Sequence, residues 1–520
     1  MPNLDTPGHR HVPQITIHAL NHDVLLNIFH WYRRVNTTDG FDRSWNLERW
    51  WYRPIQVCRT WRHLILASPT RLDLHLVCTH GTPITSMLAH SPPLPLIVYY
   101  PGRGRGMHGD ASSGEPEDVH FALRQRSRVR RIHLNAPEPN LVLKALNGEY
   151  ATLERLVIRS GKGVQLPTKL LAPRLQRLTL SDVRLPALAS GSAALLLRAE
   201  NLVTLELVEI ADTPALYPAR LVAQLARMAQ LERLVLHFRT ALPSRTFSGM
   251  GVGAQTDTTT RVRLPRLTLL SYRGSIAYLE HTLAQLAFPS LQTLFIDLFA
   301  QLSFSVIPYL THFIHRTFTF HAAELHFDAN TACLMLDRHE HASRTGNRTN
   351  AVQLRVSCCA LDWQLAALAQ ICSALSLPHI EGLTLGLHVD AEVQRTQWHA
   401  LLRAFSCTKT LQLTGPRAGS LLRSLLPLPV DILPSLQELL PERDAENGSV
   451  GEGALLQQVP TDILPPLLQE LMILGDDADD AEDAERAAGP EDEEDEGALE
   501  AFISEREAAG CPVRVVRDWW

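Results

Sequence analysis

The sequence lacks the motifs on which most catalytic and metal sites depend. It contains no GxSxG turn to expose a nucleophilic serine, no HExxH pair to hold a metal on one helix face, and no GxxxxGK[ST] loop to cradle a phosphate. His339 and His341 stand two positions apart, on opposite sides of any helix, and we interpret them as exposed loop residues. These absences predict a protein that is not an enzyme and that holds no cofactor and no metal.

Cysteine is sparse, and long apolar runs are missing. The eight cysteines form no CxxC pair, and Cys358 and Cys359 are adjacent, which indicates neither a zinc site nor a disulfide framework. The first residues are polar and charged where a signal peptide would be apolar, and no run approaches the roughly 20 apolar residues that span a bilayer. We expect a soluble intracellular protein, cytoplasmic or nuclear, without membrane contact.

The net charge is small, at −6, because one acidic segment offsets a mildly basic remainder. Residues 476–500 contain fourteen acidic side chains and one arginine, whereas the rest of the chain has 48 basic and 41 acidic residues, a net charge of +7. We expect an acidic disordered tract there, either a solvating linker or a docking tail for a basic partner. This balance argues against nucleic-acid binding. The arginines between positions 124 and 131 are interpreted as a solvated strand face.

Residues 14–70 have the pattern of two short amphipathic helices. Apolar residues recur at helical spacing from position 20 to 32, with Asn21 placed as N-cap and Asp23 in the first turn. Pro54 fits the first turn of the second helix. The pair has more apolar surface than two helices can hide from each other, which indicates a docking module. A helical pair that only caps the following domain is the alternative.

Cys58 lies in the second predicted helix, on the same face as Trp61. Arg59 and Arg62 stand close to it in the sequence, as basic residues do beside a nucleophilic cysteine. Its place on the apolar face favours a buried core thiol instead.

The string LNHDVLLNIF at 20–29, followed by VCRTWRHLI at 57–65, resembles the signature of the F-box family. The continuation at 67–83 is similar to the stretch that follows the F-box in a large group of fungal F-box proteins. Two features depart from the family pattern. Asn21 stands where the family has proline, and a long insertion, 36–51, separates the helices.

The resemblance implies that the N-terminal helices bind a Skp-type adaptor, which links to a cullin and a RING ligase, while the C-terminal region holds an unknown protein substrate. The chain would then be the substrate-recruiting subunit of a ubiquitin ligase and a monomer within that complex. An alternative is a leucine-rich-repeat interaction scaffold without ubiquitin-ligase association. The residues expected at the adaptor contact, some of which could instead form the core of the helix pair, are Leu20, Leu25, Ile28, Phe29, Trp61 and Ile65.

Residues 128–475 repeat a leucine pattern typical of leucine-rich repeats. The spacings between the first leucines of successive runs are 22, 27, 29, 36 and 24 residues, which straddle the usual 20–29. A strand followed by a short helix, as at 219–230, cannot close a core alone, whereas stacked copies can. The expected fold is therefore a small α-helical F-box followed by an irregular leucine-rich-repeat-like array, an α/β solenoid; the alternative is an ordinary α/β domain. The runs begin at Leu153, Leu175, Leu202, Leu231, Leu267 and Leu291, and looser strand candidates lie at Leu325, Leu354, Leu383 and Leu411.

Three further segments complete the predicted organisation. Residues 1–13 are expected to be a disordered tail, and residues 71–127 a connecting segment with a flexible loop at 101–118. Residues 501–520 are expected to form a C-terminal strand that packs on the array.

Overall fold

A computed structural model describes eleven stretches of the chain and scattered positions between 421 and 515. The chain divides into two compact units, Met1–Tyr217 and Pro218–Trp520. Several predicted segments lie outside the described residues. They are the tail 1–13, the loop as far as residue 116, the pair His339 and His341, the acidic residues 476–499, and residues 516–520. The stretches are 20–37, 49–79, 83–100, 117–135, 145–185, 199–210, 216–240, 261–299, 308–337, 352–388 and 394–415, with single gaps at 91, 168, 359 and 378.

The first unit begins with short helices that follow the capping signals of the sequence. Asn21 directly precedes the first helix, and its Oδ1 accepts a hydrogen bond from the amide of Asp23 at 3.4 Å, so the predicted N-cap is confirmed. The predicted loop 101–118 ends earlier than expected, since its last two residues open a helix. The helices are α1 (His22–Thr37), α2 (Pro54–Val57), α3 (Arg59–Ala67), α4 (Ile84–His90) and α5 (Glu117–Arg124), with a 3-10 turn at Trp50–Tyr52.

The second predicted helix is interrupted at Cys58, and the expectation of a buried core thiol there is wrong. Cys58 is extended, with φ −156° and ψ 169°, and its sulfur accepts a hydrogen bond from the amide of Trp61 at 3.4 Å. The residue is thus the N-cap of α3, and its side chain is only half-buried. Val57, the residue before this break, is 61% exposed.

In the described part of the first unit, six parallel strands form a sheet, each paired with the next in chain order. The leucines of the predicted runs meet across this sheet: Leu156, Leu178 and Leu205 share one register row and are buried. Alternation of inward apolar and outward polar residues fixes this register. The strands are β1 (Leu76–Thr79), β2 (Leu96–Tyr100), β3 (Val129–Asn135), β4 (Arg155–Gln165), β5 (Arg177–Arg184) and β6 (Thr204–Ile210).

The second unit repeats the combination of strand and helix. Its helices are α6 (Pro218–Leu225), α7 (Ile276–Gln285), α8 (Pro308–Thr317), α9 (Leu361–Leu375) and α10 (Arg395–Leu402). Its first strands are β7 (Arg233–Phe238), β8 (Val262–Arg263), β9 (Leu269–Gly274), β10 (Leu286–Ala287) and β11 (Thr293–Phe299). The later strands are β12 (Ala322–Phe327), β13 (Thr331–Asp337), β14 (Val352–Ser357), β15 (Gly382–Leu387), β16 (Thr410–Thr414), β17 (Glu438–Pro441) and β18 (Arg514–Val515).

Strands β8 and β10 pair only with each other, in a separate two-stranded sheet. Among the other strands of this unit, the order departs from chain order at one place. The sheet runs β7-β9-β11-β14-β13-β12-β15-β16-β17-β18, and β13 is antiparallel to both of its neighbours. The run TACLMLD of β13 was not predicted as a strand, because it lacks the leucine pattern of the others. Its insertion places β14, rather than β12, beside β11.

The described fold is mixed α/β with mostly parallel strands, which confirms the predicted class in its coarse form. Regular stacking as a solenoid stays a prediction. Among the helices of the described residues, none combines the length and the apolar character that a membrane crossing requires.

Candidate docking surface

The helices α1 and α3 pack together through a small apolar core. Leu25 and Phe29 of α1 are each 2% exposed, and Ile65 of α3 is fully buried. The ring of Phe29 meets Trp61 edge to face, with ring centroids 4.9 Å apart. Three of the six residues predicted at the adaptor contact therefore form the interior of the helix pair.

The outward face of α1 carries a second apolar stripe. Val24, Ile28, Trp31 and Val35 follow one another at steps of four, three and four residues, so they lie along one line of the helix. Their exposed fractions are 44%, 41%, 66% and 52%. Large side chains aligned and exposed in this way mark an interaction surface more often than scattered ones do. We call these four residues the α1 ridge.

The structure separates the predicted contact residues by exposure. Ile28 is exposed and belongs to the α1 ridge, whereas Leu20, just before α1, and Trp61 of α3 are half-buried. Sequence reasoning did not place the other three ridge residues at the contact. The signal that would have found them is the presence of apolar residues on more than one face of a helix as short as α1.

Asp73 ties α1 to the sheet of the same unit. One carboxylate oxygen pairs with Arg33 of α1 at 2.7 Å, and the other pairs with Arg130 of β3 at 2.7 Å. Arg130 also pairs with Glu154, again at 2.7 Å. Asp73 occupies the left-handed region with φ 50°, which Asp tolerates better than most residues. This ion-pair cluster fixes the orientation in which α1 presents its ridge.

Opposing effects set the charge state of Asp73. Burial raises the pKa of its carboxyl, but the positive charges around it outweigh that effect and hold the pKa below its ordinary value. Burial lowers the pKa of the neighbouring His75 to about 4, so this imidazole is neutral near pH 7. The positive charge that stabilises the Asp73 carboxylate at neutral pH therefore comes from Arg33 and Arg130.

We expect His75 to make the stability of the first unit depend on pH. The unfolded imidazole has a pKa of roughly 6.5, so below that pH the unfolded chain binds a proton that the folded chain excludes. The contribution is complete above about pH 7 and is lost as the pH falls towards 4, which amounts to about 2 kcal/mol between pH 7 and pH 5. Urea denaturation at both pH values measures it. In His75→Gln, which does not titrate, this part of the pH dependence should vanish; an unchanged dependence contradicts the assignment.

The predicted basic cluster is used largely inside the unit. Arg126 donates to the carbonyl of Asn147 at 2.7 Å, and Arg128 donates to the carbonyl of Leu94 at 2.9 Å. With Arg130 bound to two carboxylates, the interpretation of this segment as a merely solvated strand face is incomplete. These arginines join neighbouring loops and strands.

Two observations on the described residues concern metal and thiol chemistry. No group of three or more histidines, cysteines or acidic residues in the described stretches is placed to hold a metal ion. Burial raises the pKa of the Cys78 thiol to about 12 and also raises that of Cys333, so both are protonated at neutral pH.

A scan against models of known protein families gives no match to this chain, and a search of the curated proteins finds none with significant similarity.

Proposed function

We propose that the chain is an F-box-type substrate adaptor, which binds a Skp-type adaptor protein through its N-terminal helices and a protein substrate through its strand-rich region. The proposal rests on the α1 ridge. A soluble helix that already buries Leu25 and Phe29 has no packing reason to display a second apolar stripe. A partner that covers the ridge would remove four large apolar side chains from water, at about 25 cal/mol for each Å² buried.

The position of the ridge suits a partner that docks from outside the unit. Arg33 and Phe29 project from α1 to the Asp73 cluster and to α3, which leaves the ridge on the remaining side of the helix. The half-buried Trp61 belongs to α3 of the same helix pair. Docking at this surface needs no rearrangement of the core.

In this proposal the chain itself makes and breaks no covalent bond. A cullin and RING ligase joined through the adaptor would transfer ubiquitin, and the chain would act by holding the substrate close to the charged ubiquitin carrier. Such tethering raises the effective concentration of the reacting groups without any new contact at the reactive centre.

The test is a pull-down of the full chain with a purified Skp-type adaptor, with Val24→Asp/Ile28→Asp as the variant. Both residues are exposed, so the added carboxylates should leave the fold intact while charging the N-terminal half of the ridge. We expect adaptor binding to fall at least about tenfold, in line with the loss of two of the four large apolar contact residues.

The matched control is His22→Asp/His30→Asp, which adds two carboxylates to exposed positions of α1 away from the ridge. It should bind like the wild type. If the folded wild-type chain fails to bind the adaptor, the proposal is refuted.

The second candidate is a protein-interaction scaffold without ubiquitin-ligase association. The observation that favours it is the burial of Leu25, Phe29 and Ile65, which removes half of the resemblance-derived contact set from the surface. Under this function the α1 ridge binds a different partner, and the adaptor pull-down separates the two.

A further inference from the structure

A groove of about 1060 Å³ in the second unit has basic residues on two sides. On one side Arg261, directly before β8, and Arg263 of β8 are two residues apart, so their side chains point the same way about 6.6 Å apart. On the other side His312 and Arg316 are four residues apart, so they share one face of α8 with a rise of about 6 Å between them. We call the groove with these four residues the basic groove.

The floor of the basic groove lies between β8 and α8. Strand β10 pairs with β8, with Ala287 opposite Arg263. Phe288, the residue after β10, meets Phe313 of α8 edge to face, with ring centroids 5.6 Å apart. Residues 286–288 therefore form the floor, and β8 and α8 form the two walls.

Glu280 of α7 holds the wall formed by α8 in place. Its carboxylate accepts hydrogen bonds from the backbone amides of Tyr309 at 3.0 Å and Leu310 at 2.8 Å, two donors at the start of α8 that have no acceptor within the helix. Glu280 is only 9% exposed, so its charge is used at this contact. The wall is thus fixed before a partner arrives, which lowers the entropic cost of binding.

The positive charge of the basic groove has no counterpart in the part of the chain that the structure describes. There, the four basic side chains make no hydrogen bond or ion pair, and no residue that lines the groove is acidic. All four are exposed. The adjoining segments 241–260 and 300–307, outside the described residues, together contain one acidic residue and one arginine, so they add no net charge. The donors of the groove are therefore available to an anionic partner.

Aromatic surface lies beside these charges. Tyr309 is 43% exposed and Phe313 is half-buried, and both line the groove from α8. Aromatic and arginine side chains are enriched together at protein interfaces, where the ring makes apolar contacts and the guanidinium group pairs with charge. The groove therefore suits a partner that carries both carboxylates and apolar side chains.

We infer that the basic groove binds a run of consecutive acidic residues in an extended segment of a partner protein. Side chains of an extended chain alternate between two sides, and those on one side repeat about every 6.6 Å. Two carboxylates of a four-residue acidic run then face Arg261 and Arg263, and the other two face His312 and Arg316. Guanidinium groups bind carboxylates through charge-assisted hydrogen bonds, which are stronger than neutral ones.

A protein segment fits this groove better than a nucleic acid does. Nucleic-acid affinity grows with the number of phosphates that basic residues neutralise, and four side chains neutralise few. The net charge of the chain is −6, which repels a long polyanion. A short acidic run carries its negative charge only where the groove is positive.

The chain itself contains a competing acidic run, at residues 491–496. Ten residues after this run, Arg506 is buried and donates to the carbonyls of Leu433 and Leu436, just before β17. In the strand order β17 lies six positions from β11, which is about 29 Å along the sheet, and β11 is the strand that leads into α8. This separation favours a different chain as the occupant.

The inference goes beyond the proposed function and does not rest on it. The basic groove belongs to the second unit and the α1 ridge to the first, so acidic-segment binding and adaptor binding are measured on different residues. Either proposal can fail while the other stands.

The experiment measures fluorescence anisotropy with the full chain and a labelled twelve-residue peptide that has four consecutive glutamates between two leucines in a Gly/Ser frame. A second peptide has the same composition with its glutamates at alternate positions, and a third has glutamine in place of each glutamate. We expect the consecutive run to bind at least about tenfold more tightly than the glutamine peptide and about threefold more tightly than the alternating one, because only the run presents carboxylates to both walls. Affinity should fall at high salt.

Arg263→Glu/Arg316→Glu changes one arginine on each wall and should weaken binding of the consecutive run at least about tenfold. The matched control, Arg395→Glu/Arg403→Glu, makes the same change in net charge at exposed positions of the same unit that do not line the groove. It should bind within about twofold of wild type. If the first variant fails to fold, Arg263→Gln/Arg316→Gln gives the same comparison with smaller expected losses.

A further variant tests the chain's own acidic run. Glu491→Gln/Glu493→Gln/Glu494→Gln/Glu496→Gln removes four of its charges and should bind the peptide within about twofold of wild type. Binding at least about tenfold tighter than wild type would show that this run occupies the groove, and the inference of a partner segment would be wrong.

Each other outcome also overturns the inference. Equal binding of the glutamate and glutamine peptides excludes recognition of carboxylates, and equal binding of the consecutive and alternating peptides excludes contact with both walls. Equal losses in the two charge-reversal variants reduce the effect to general electrostatics. Tighter binding of a twelve-nucleotide RNA through Arg263 and Arg316 assigns the groove to nucleic acid. In the adaptor pull-down the groove variants should bind like the wild type.

Discussion

Replacing Asp73 with alanine is expected to lower the free energy of unfolding of the first unit by about 3 kcal/mol. The substitution removes the shared partner of Arg33 and Arg130, whose side chains are only 26% and 31% exposed. A charged hydrogen bond contributes about 1.5–3 kcal/mol, and partial exposure reduces that value for each pair. Alanine in the left-handed region adds roughly 1–2 kcal/mol of backbone strain, since φ at Asp73 is 50°.

Two control variants separate the contribution of the ion pairs from that of the backbone strain. Asp73→Asn keeps a residue that tolerates the left-handed region, so it should lose the charge contribution and little else. Asp73→Gly removes the strain and both ion pairs. Urea denaturation gives the free energies, and hydrogen exchange of α1 reports whether that helix loosens from the sheet. A loss below about 1 kcal/mol in Asp73→Ala would show that solvent screens these pairs almost completely.

The strands of the array could be predicted from the sequence because each carries its own signal. A buried leucine recurs at every second position within a run, and Leu178 and Leu180 of β5 are buried for that reason. The N-cap at Asn21 and the helix start at Pro54 are equally local, since each depends on residues within one turn. Local rules were sufficient for these elements.

Features that depend on contacts between distant residues could not be predicted in this way. The antiparallel strand β13 lies between β12 and β14, so its place in the sheet depends on both neighbouring strands. Asp73 has partners 40 and 57 residues away in the chain, so no window of sequence contains them all.

At the candidate sites, too, local signals could be predicted from the sequence and contacts between distant residues could not. Apolar periodicity predicted that α1 is amphipathic, yet which of its two stripes faces inward depends on α3 and on the pair between Arg33 and Asp73. Only the register of β3, β4 and β5 makes neighbours of Arg131, Arg155 and Arg177, which are 24 and 22 residues apart along the chain. The residue types at these sites can be read from the sequence, whereas the residues that lie next to them in space are known only from the structure.

A comparison of Ile65→Ala with Ile28→Ala tests the division between core and ridge. Ile65 is fully buried, so its truncation leaves a cavity between α1 and α3, and we expect a loss of about 3 kcal/mol in the free energy of unfolding. Ile28 is 41% exposed, so its truncation should change stability by less than about 0.5 kcal/mol. Urea denaturation of both variants provides the measurement.

The two variants should show the opposite order in adaptor binding. At a temperature where Ile65→Ala remains folded, it retains the α1 ridge and should bind the Skp-type adaptor like the wild type, whereas Ile28→Ala should bind more weakly. Since the same side chain is exchanged for alanine in both variants, lost hydrophobicity alone cannot produce this reversal. If Ile65→Ala were the weaker binder while still folded, the contact surface would have to include the interior of the helix pair, and α1 would have to move away from α3 when the partner binds.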